Sequence, residues 1–135
     1  MPQVAQEQIA LDPHSIEYRT RLAKMVMKLF ELWQLNNEDQ AALLGLSTKG
    51  RTSLSRYRAG KPLADNQDLL DRVGHLLGIH KSLRLIFPHN PDLAYRWISM
   101  PNQRFDHKSP LDLMKERRFE GLLAIRRYLD FERGR

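Results

Sequence analysis

Proline and glycine cut this chain into short segments, and within each the apolar residues recur at three- and four-residue spacing. That spacing lays one buried stripe along a helix, whereas a half-buried strand needs apolar residues at every second position. No stretch alternates in that way. The expectation is an all-α protein, a bundle of short helices.

Asp12-Pro13 reads as a cap and a first-turn proline, opening a helix that runs to about Leu35. Its stripe is Leu22, Met25 or Val26, Leu29, and Leu32 or Trp33. The polar start, Met1 to Leu11, is expected to be loose. Asn36 or Asn37 caps the next helix, with Glu38 and Asp39 at its positive end and Gly45 ending it. A third helix is expected from Lys49 to Arg58, closed by Gly60 and Pro62. A fourth runs from Asp65 or Asn66 to Leu77 with Gly78 as its C-terminal stop, and a short fifth, His80 to Phe87, ends at Pro88. Pro88-His89-Asn90-Pro91 reads as the joint between modules, and the chain is expected to divide into regions 1–80 and 81–135. Beyond it come a helix ending at Met100-Pro101, a polar loop from Asn102 to Lys108, a capped start at Ser109-Pro110, and a last helix from about Phe119 to Phe131. Leu122, Leu123, Ile125 and Leu129 face inward on that last helix.

Composition narrows the function. With 41% hydrophobic residues the chain can build a modest core. No apolar run approaches the roughly 20 residues of a bilayer span, the start does not read as a signal peptide, and the absence of cysteine fits a reducing cytoplasm. His14, His75, His80, His89 and His107 form no helical i, i+4 ligand pair, so no metal site is expected. No nucleophile–base set or paired-carboxylate site emerges either, so neither an enzyme nor a bound cofactor is expected. Gly45 to Thr52 nearly spells a phosphate-binding loop, but arginine stands where lysine belongs and a helix precedes it instead of a strand.

The formal charge of +6 favours a polyanionic partner, and its distribution is more telling. From Gly45 to Ala64 there are five basic residues (Lys49, Arg51, Arg56, Arg58, Lys61) and no acid, while Glu38, Asp39, Asp65, Asp68 and Asp71 stand just outside. The stretch Asn37 to Ser47 reads as the first helix and turn of a helix-turn-helix. Ala41 or Ala42 permits close approach, Gly45 supplies a positive φ, and Leu46 plugs the gap. The second helix then offers Ser47, Thr48, Lys49, Arg51, Thr52, Ser53, Ser55, Arg56 and Arg58 to a major groove. An ordinary αα-hairpin with a solvated basic face shares this pattern; the acid-free stretch favours DNA.

A further set of residues has a familiar order: Leu85-Ile86-Phe87, Pro91 to Ile98 with Trp97, Met100-Pro101-Asn102, Ser109-Pro110-Leu111-Asp112-Leu113, and a terminal helix closing at Asp130 to Arg135. It resembles the toxin-binding domain of the Xre/MbcA/ParS antitoxin family, over roughly Leu83 to Arg135, and the upstream helix pair fits that family's Xre-like DNA-binding half. The family often has a glycine shortly before the Ser/Thr-Pro-Leu-Asp step, where Asp106-His107-Lys108 stand here. The resemblance implies a RES-domain toxin as partner, an NAD-consuming or ADP-ribosyl-transferring enzyme, and a C-terminal end that covers or enters its cleft. Arg126, Arg127 and Tyr128, expected to be exposed on the last helix, and Arg133 and Arg135 in the tail are the candidate contacts. Operator DNA is the other implied partner. A homodimer is expected through the first helix, with Met25, Met27, Leu29, Leu32 and Trp33 available. A stand-alone regulator whose C-terminal module dimerises or senses a ligand is the competing reading.

Overall fold

The computed structural model describes residues 12–47 and 50–134; Met1 to Leu11, Thr48, Lys49 and Arg135, on which some expectations fall, lie outside them. Among the described residues the chain forms six α-helices and no strand: α1 (Ile16–Leu32), α2 (Asn37–Leu43), α3 (Arg51–Arg58), α4 (Gln67–Ile86), α5 (Pro91–Arg96) and α6 (Pro110–Arg133). Two 3-10 turns, Trp97–Ser99 and Gln103–Phe105, join α5 to α6.

Most helix starts follow one local rule. The side chains of Ser15, Asn36, Asn66, Asn90 and Ser109 each accept the backbone N–H three residues on, at 2.8 to 3.1 Å. Each satisfies a donor that the first helical turn leaves without a partner. The first cap is therefore Ser15 and not Asp12, whose carboxylate instead accepts the N–H of His14 in a turn before the helix. Helix α1 stops at Leu32, three residues earlier than expected, because Gln34 turns into the left-handed region at φ 56°.

One expected break is absent. Gly78 does not end a helix: α4 runs unbroken from Gln67 to Ile86, so the expected fourth and fifth helices are one. The expected boundary between residues 80 and 81 falls inside it. Pro110 to Arg133, taken together as α6, is two helical pieces that meet at Arg118, which leaves helical geometry (φ 56°, ψ −127°), so the capped start at Ser109-Pro110 and a last helix from about Phe119 are both present as expected. Gly121 makes the bend possible, since a Cβ there would stand 2.5 Å from the carbonyl oxygen of Leu113. Pro88 does stop α4, as expected.

Packing joins the two ends of the sequence. Val26 and Phe30 of α1, Leu54 of α3, Leu76, Ile79 and Leu83 of α4, Ile98, and Met114, Leu122 and Ile125 of α6 belong to one buried cluster. Helix α6 lies along α4 over its greatest length and also reaches α2.

Candidate nucleic-acid interface and partner face

Helix α3 separates cleanly into two sides. Leu54 and Tyr57 are buried, while Arg51, Thr52, Ser55 and Arg56 are exposed and Ser53 is half-buried. At about 100° per residue the exposed positions fall in one arc opposite Leu54 and Tyr57. Of the expected contacts, Arg51, Thr52, Ser55 and Arg56 thus share a face, Ser47 is exposed in the preceding turn, and Thr48 and Lys49 lie outside the described residues.

The turn is built as its glycines require. Gly45 takes φ 69°, a conformation in which a Cβ is strained. Gly50 is buried at the start of α3, where a Cβ would be 3.0 Å from that of Leu46 and 3.2 Å from that of Ala41. The small Ala41 and Gly50 together let α3 begin against α2. Gly50 escaped the sequence reading as a packing residue; its signal was its place inside the false phosphate-loop pattern.

Arg58 has a structural role that charge alone does not show. Its guanidinium donates to Gln40 Oε1 at 2.9 Å and also to Asn37 Oδ1, and buried Gln40 donates in turn to the carbonyl of Leu35 at 2.8 Å. The end of α3 is thereby tied to the start of α2, with Arg58 still exposed beside the face it borders.

At the other end, α6 is fastened to α4. Arg126 extends over Gly78, where a Cβ would be 2.6 Å from its Cζ, and its Nη1 lies 3.0 Å from His75 Nδ1. Tyr128 stacks on Trp97 with ring centres 6.2 Å apart and 8° between planes, and Phe105 meets Tyr128 edge-on at 5.3 Å. Arg133 Nη1 donates to the fully buried Ser82 Oγ at 3.3 Å. The expectation that Arg126 and Tyr128 are exposed is therefore corrected: both are half-buried against α4 and the aromatic cluster. Arg127 and Arg133 are exposed, and Arg135 lies outside the described residues.

One exposed residue there was missed. Phe131 shows 66% of its surface, on the side of α6 opposite Leu129. The signal was an aromatic two positions beyond an inward leucine, which a helix must turn outward. Leu85, at the C-terminal end of α4, is 54% exposed for the same reason relative to Leu83.

Among the described residues no group of histidines and carboxylates could hold a metal ion, and no helix is long and apolar enough to cross a membrane.

Comparison with known proteins matches the chain to two family models that part within α4. Residues 21–78 match the family model of the antitoxin Xre-like helix-turn-helix domain, and residues 82–135 match that of the antitoxin Xre/MbcA/ParS C-terminal toxin-binding domain. A Sinorhizobium fredii protein, y4oB, is 36% identical over 108 residues, covering 79% of this chain and 80% of its own. The recognition pair around Gly45 and Gly50, the aromatic cluster around Trp97 and the capped Ser109-Pro110 start all lie within those matches, and the chain belongs to the Xre/MbcA/ParS antitoxin family.

Proposed function

We propose that this protein is the antitoxin of a two-component module, acting in the cytoplasm as a homodimer. It represses its own operon through α3 and silences a RES-domain, NAD-consuming toxin through the end of α6. The observation that carries the DNA reading is the face of α3: Arg51, Thr52, Ser55 and Arg56 lie on one arc, with Leu54 and Tyr57 anchoring the other. A helix so presented enters a major groove, where hydroxyls and guanidiniums meet base edges and phosphates.

On the toxin side, the family's toxin-binding role falls on residues 82–135. There α6 ends with Arg127 and Phe131 exposed one turn apart on one side, while Arg133, also exposed, lies on the other side, where it reaches Ser82. An arginine and an aromatic are the side chains that most often anchor a protein interface. An arginine also suits a cleft shaped for a phosphate-bearing dinucleotide.

The dimer reading rests on an open groove of about 1440 Å³ between α1, the end of α3 and α4. Met25, Met27, Leu32 and Leu77 line it, with Leu29 at its floor; Leu29 and Trp33, also expected to be available, are only 2% and 3% exposed.

The DNA reading is tested by Arg51→Ala combined with Arg56→Ala. A dimer contacting about six phosphates has a log K against log salt slope of about −5. The double variant is expected to lose operator binding while helicity and toxin capture persist. Operator shifts at the wild-type protein concentration would reject this face.

A further inference from the structure

The helix-turn-helix is steadied from the opposite end of the sequence. Asp39, in the first turn of α2, pairs at 2.8 Å with Lys115 Nζ from the first half of α6. Only 15% of the Asp39 side chain is exposed, so this pair is less screened by salt than an open surface pair. The Gly45 turn is backed by Arg72 of α4, whose Nε would lie 2.7 Å from a Cβ at that position. Arg72 is buried, held by Asp68 Oδ2 at 2.9 Å, and its guanidinium lies 5.7 Å from the ring centre of Phe119. Lys115 and Phe119 flank the bend at Arg118, so the two supports of the recognition pair come from one short piece of α6.

We infer that Lys115 and Phe119 are positioning residues for DNA recognition: acting through Asp39 and Arg72, they set the angle at which α2 and the Gly45 turn present α3. Neither residue belongs to the exposed face of α3. The inference rests on the reading of α3 as the DNA-contacting helix. It adds that this helix depends on residues within the toxin-binding half.

The test uses the full chain, a duplex carrying its own promoter, and capture of its toxin as a parallel measurement. Lys115→Met is expected to weaken operator binding about tenfold, within the range by which remote packed residues modulate a site. Lys115→Arg, which retains the ion pair, restores it. Phe119→Leu keeps apolar volume but removes the ring face under Arg72, and it weakens binding as well. Asp39→Asn is the sharpest variant. Removing an acid beside a polyanion strengthens binding by simple electrostatics, whereas loss of positioning weakens it. Asp39→Asn binding as well as wild type or better, or Lys115→Met staying within about twofold, overturns the inference. Loss of toxin capture by every variant also overturns it, in favour of a general role in folding. No operator binding by the wild-type chain removes the DNA reading, and the inference with it.

Discussion

Arg126 and Gly78 explain each other. Glycine inside a helix costs about 1 kcal/mol relative to alanine, yet α4 carries Gly74 and Gly78 one turn apart without breaking. The missing Cβ of Gly78 makes room for the Arg126 guanidinium, which also lies beside His75. From sequence alone Gly78 reads as a stop, because the residue that fills its notch is far along the chain. The same holds for Asp106 and His107, two successive left-handed residues at φ 56° and 65°. Such backbone favours glycine, and aspartate is among the side chains that tolerate it best.

His75 and His80 are both held below the usual 6.5, first by desolvation. The Arg126 guanidinium lowers His75 further, with Asp71 opposing in part, and Arg84 lowers His80. The folded state thus favours the neutral rings. Their contribution to stability is present above about pH 6.5 and is lost as pH falls through the depressed values. The melting temperature is expected to drop between about pH 7.5 and about pH 5.5, and His75→Gln with His80→Phe to flatten that dependence. Circular-dichroism melts check it; equal slopes for both proteins would contradict it.

At the scale of elements, the caps were the most legible feature. Asn36, Asn66, Asn90 and Ser109 announce their helices locally, through one side chain and one N–H. The arc of α3 was legible too, since a period of 3.6 decides which residues face out. The break before Phe119 was legible in its place but not in its geometry. Arg118 is neither glycine nor proline, and the missing Cβ of Gly121 leaves room for the Leu113 carbonyl beside the break. The exposed side of α1 was only half legible. Periodicity placed Leu29 and Trp33 on the same stripe as Met25, but the chain's own core claims both. The proposed dimer is left with Met25, 47% exposed, and its neighbours along the groove. Burying a methionine contributes about 1.5–3 kcal/mol. A Met25→Glu change is therefore expected to raise the dimer dissociation constant about a hundredfold or more, counting both protomers. Sedimentation at several concentrations reads this directly, and an unchanged dimer would move the interface elsewhere.

At the scale of the whole molecule, the two family halves are distinct in sequence and continuous in structure. Helix α4 passes through the boundary, one apolar cluster serves both sides, and Lys115 reaches from the toxin-binding half to Asp39 in the other. The faces proposed for toxin capture and for DNA reading thus sit at separate surfaces of one core. The central claim is that the end of α6 silences the toxin by lying over its NAD pocket. Ending the chain after Leu129 removes Phe131, Arg133 and the tail but leaves most of α6. The deciding measurement is NAD consumption by the toxin at saturating full-length or shortened protein. The account predicts that the toxin still binds the shortened chain yet consumes NAD again, and full inhibition by the shortened chain would contradict it.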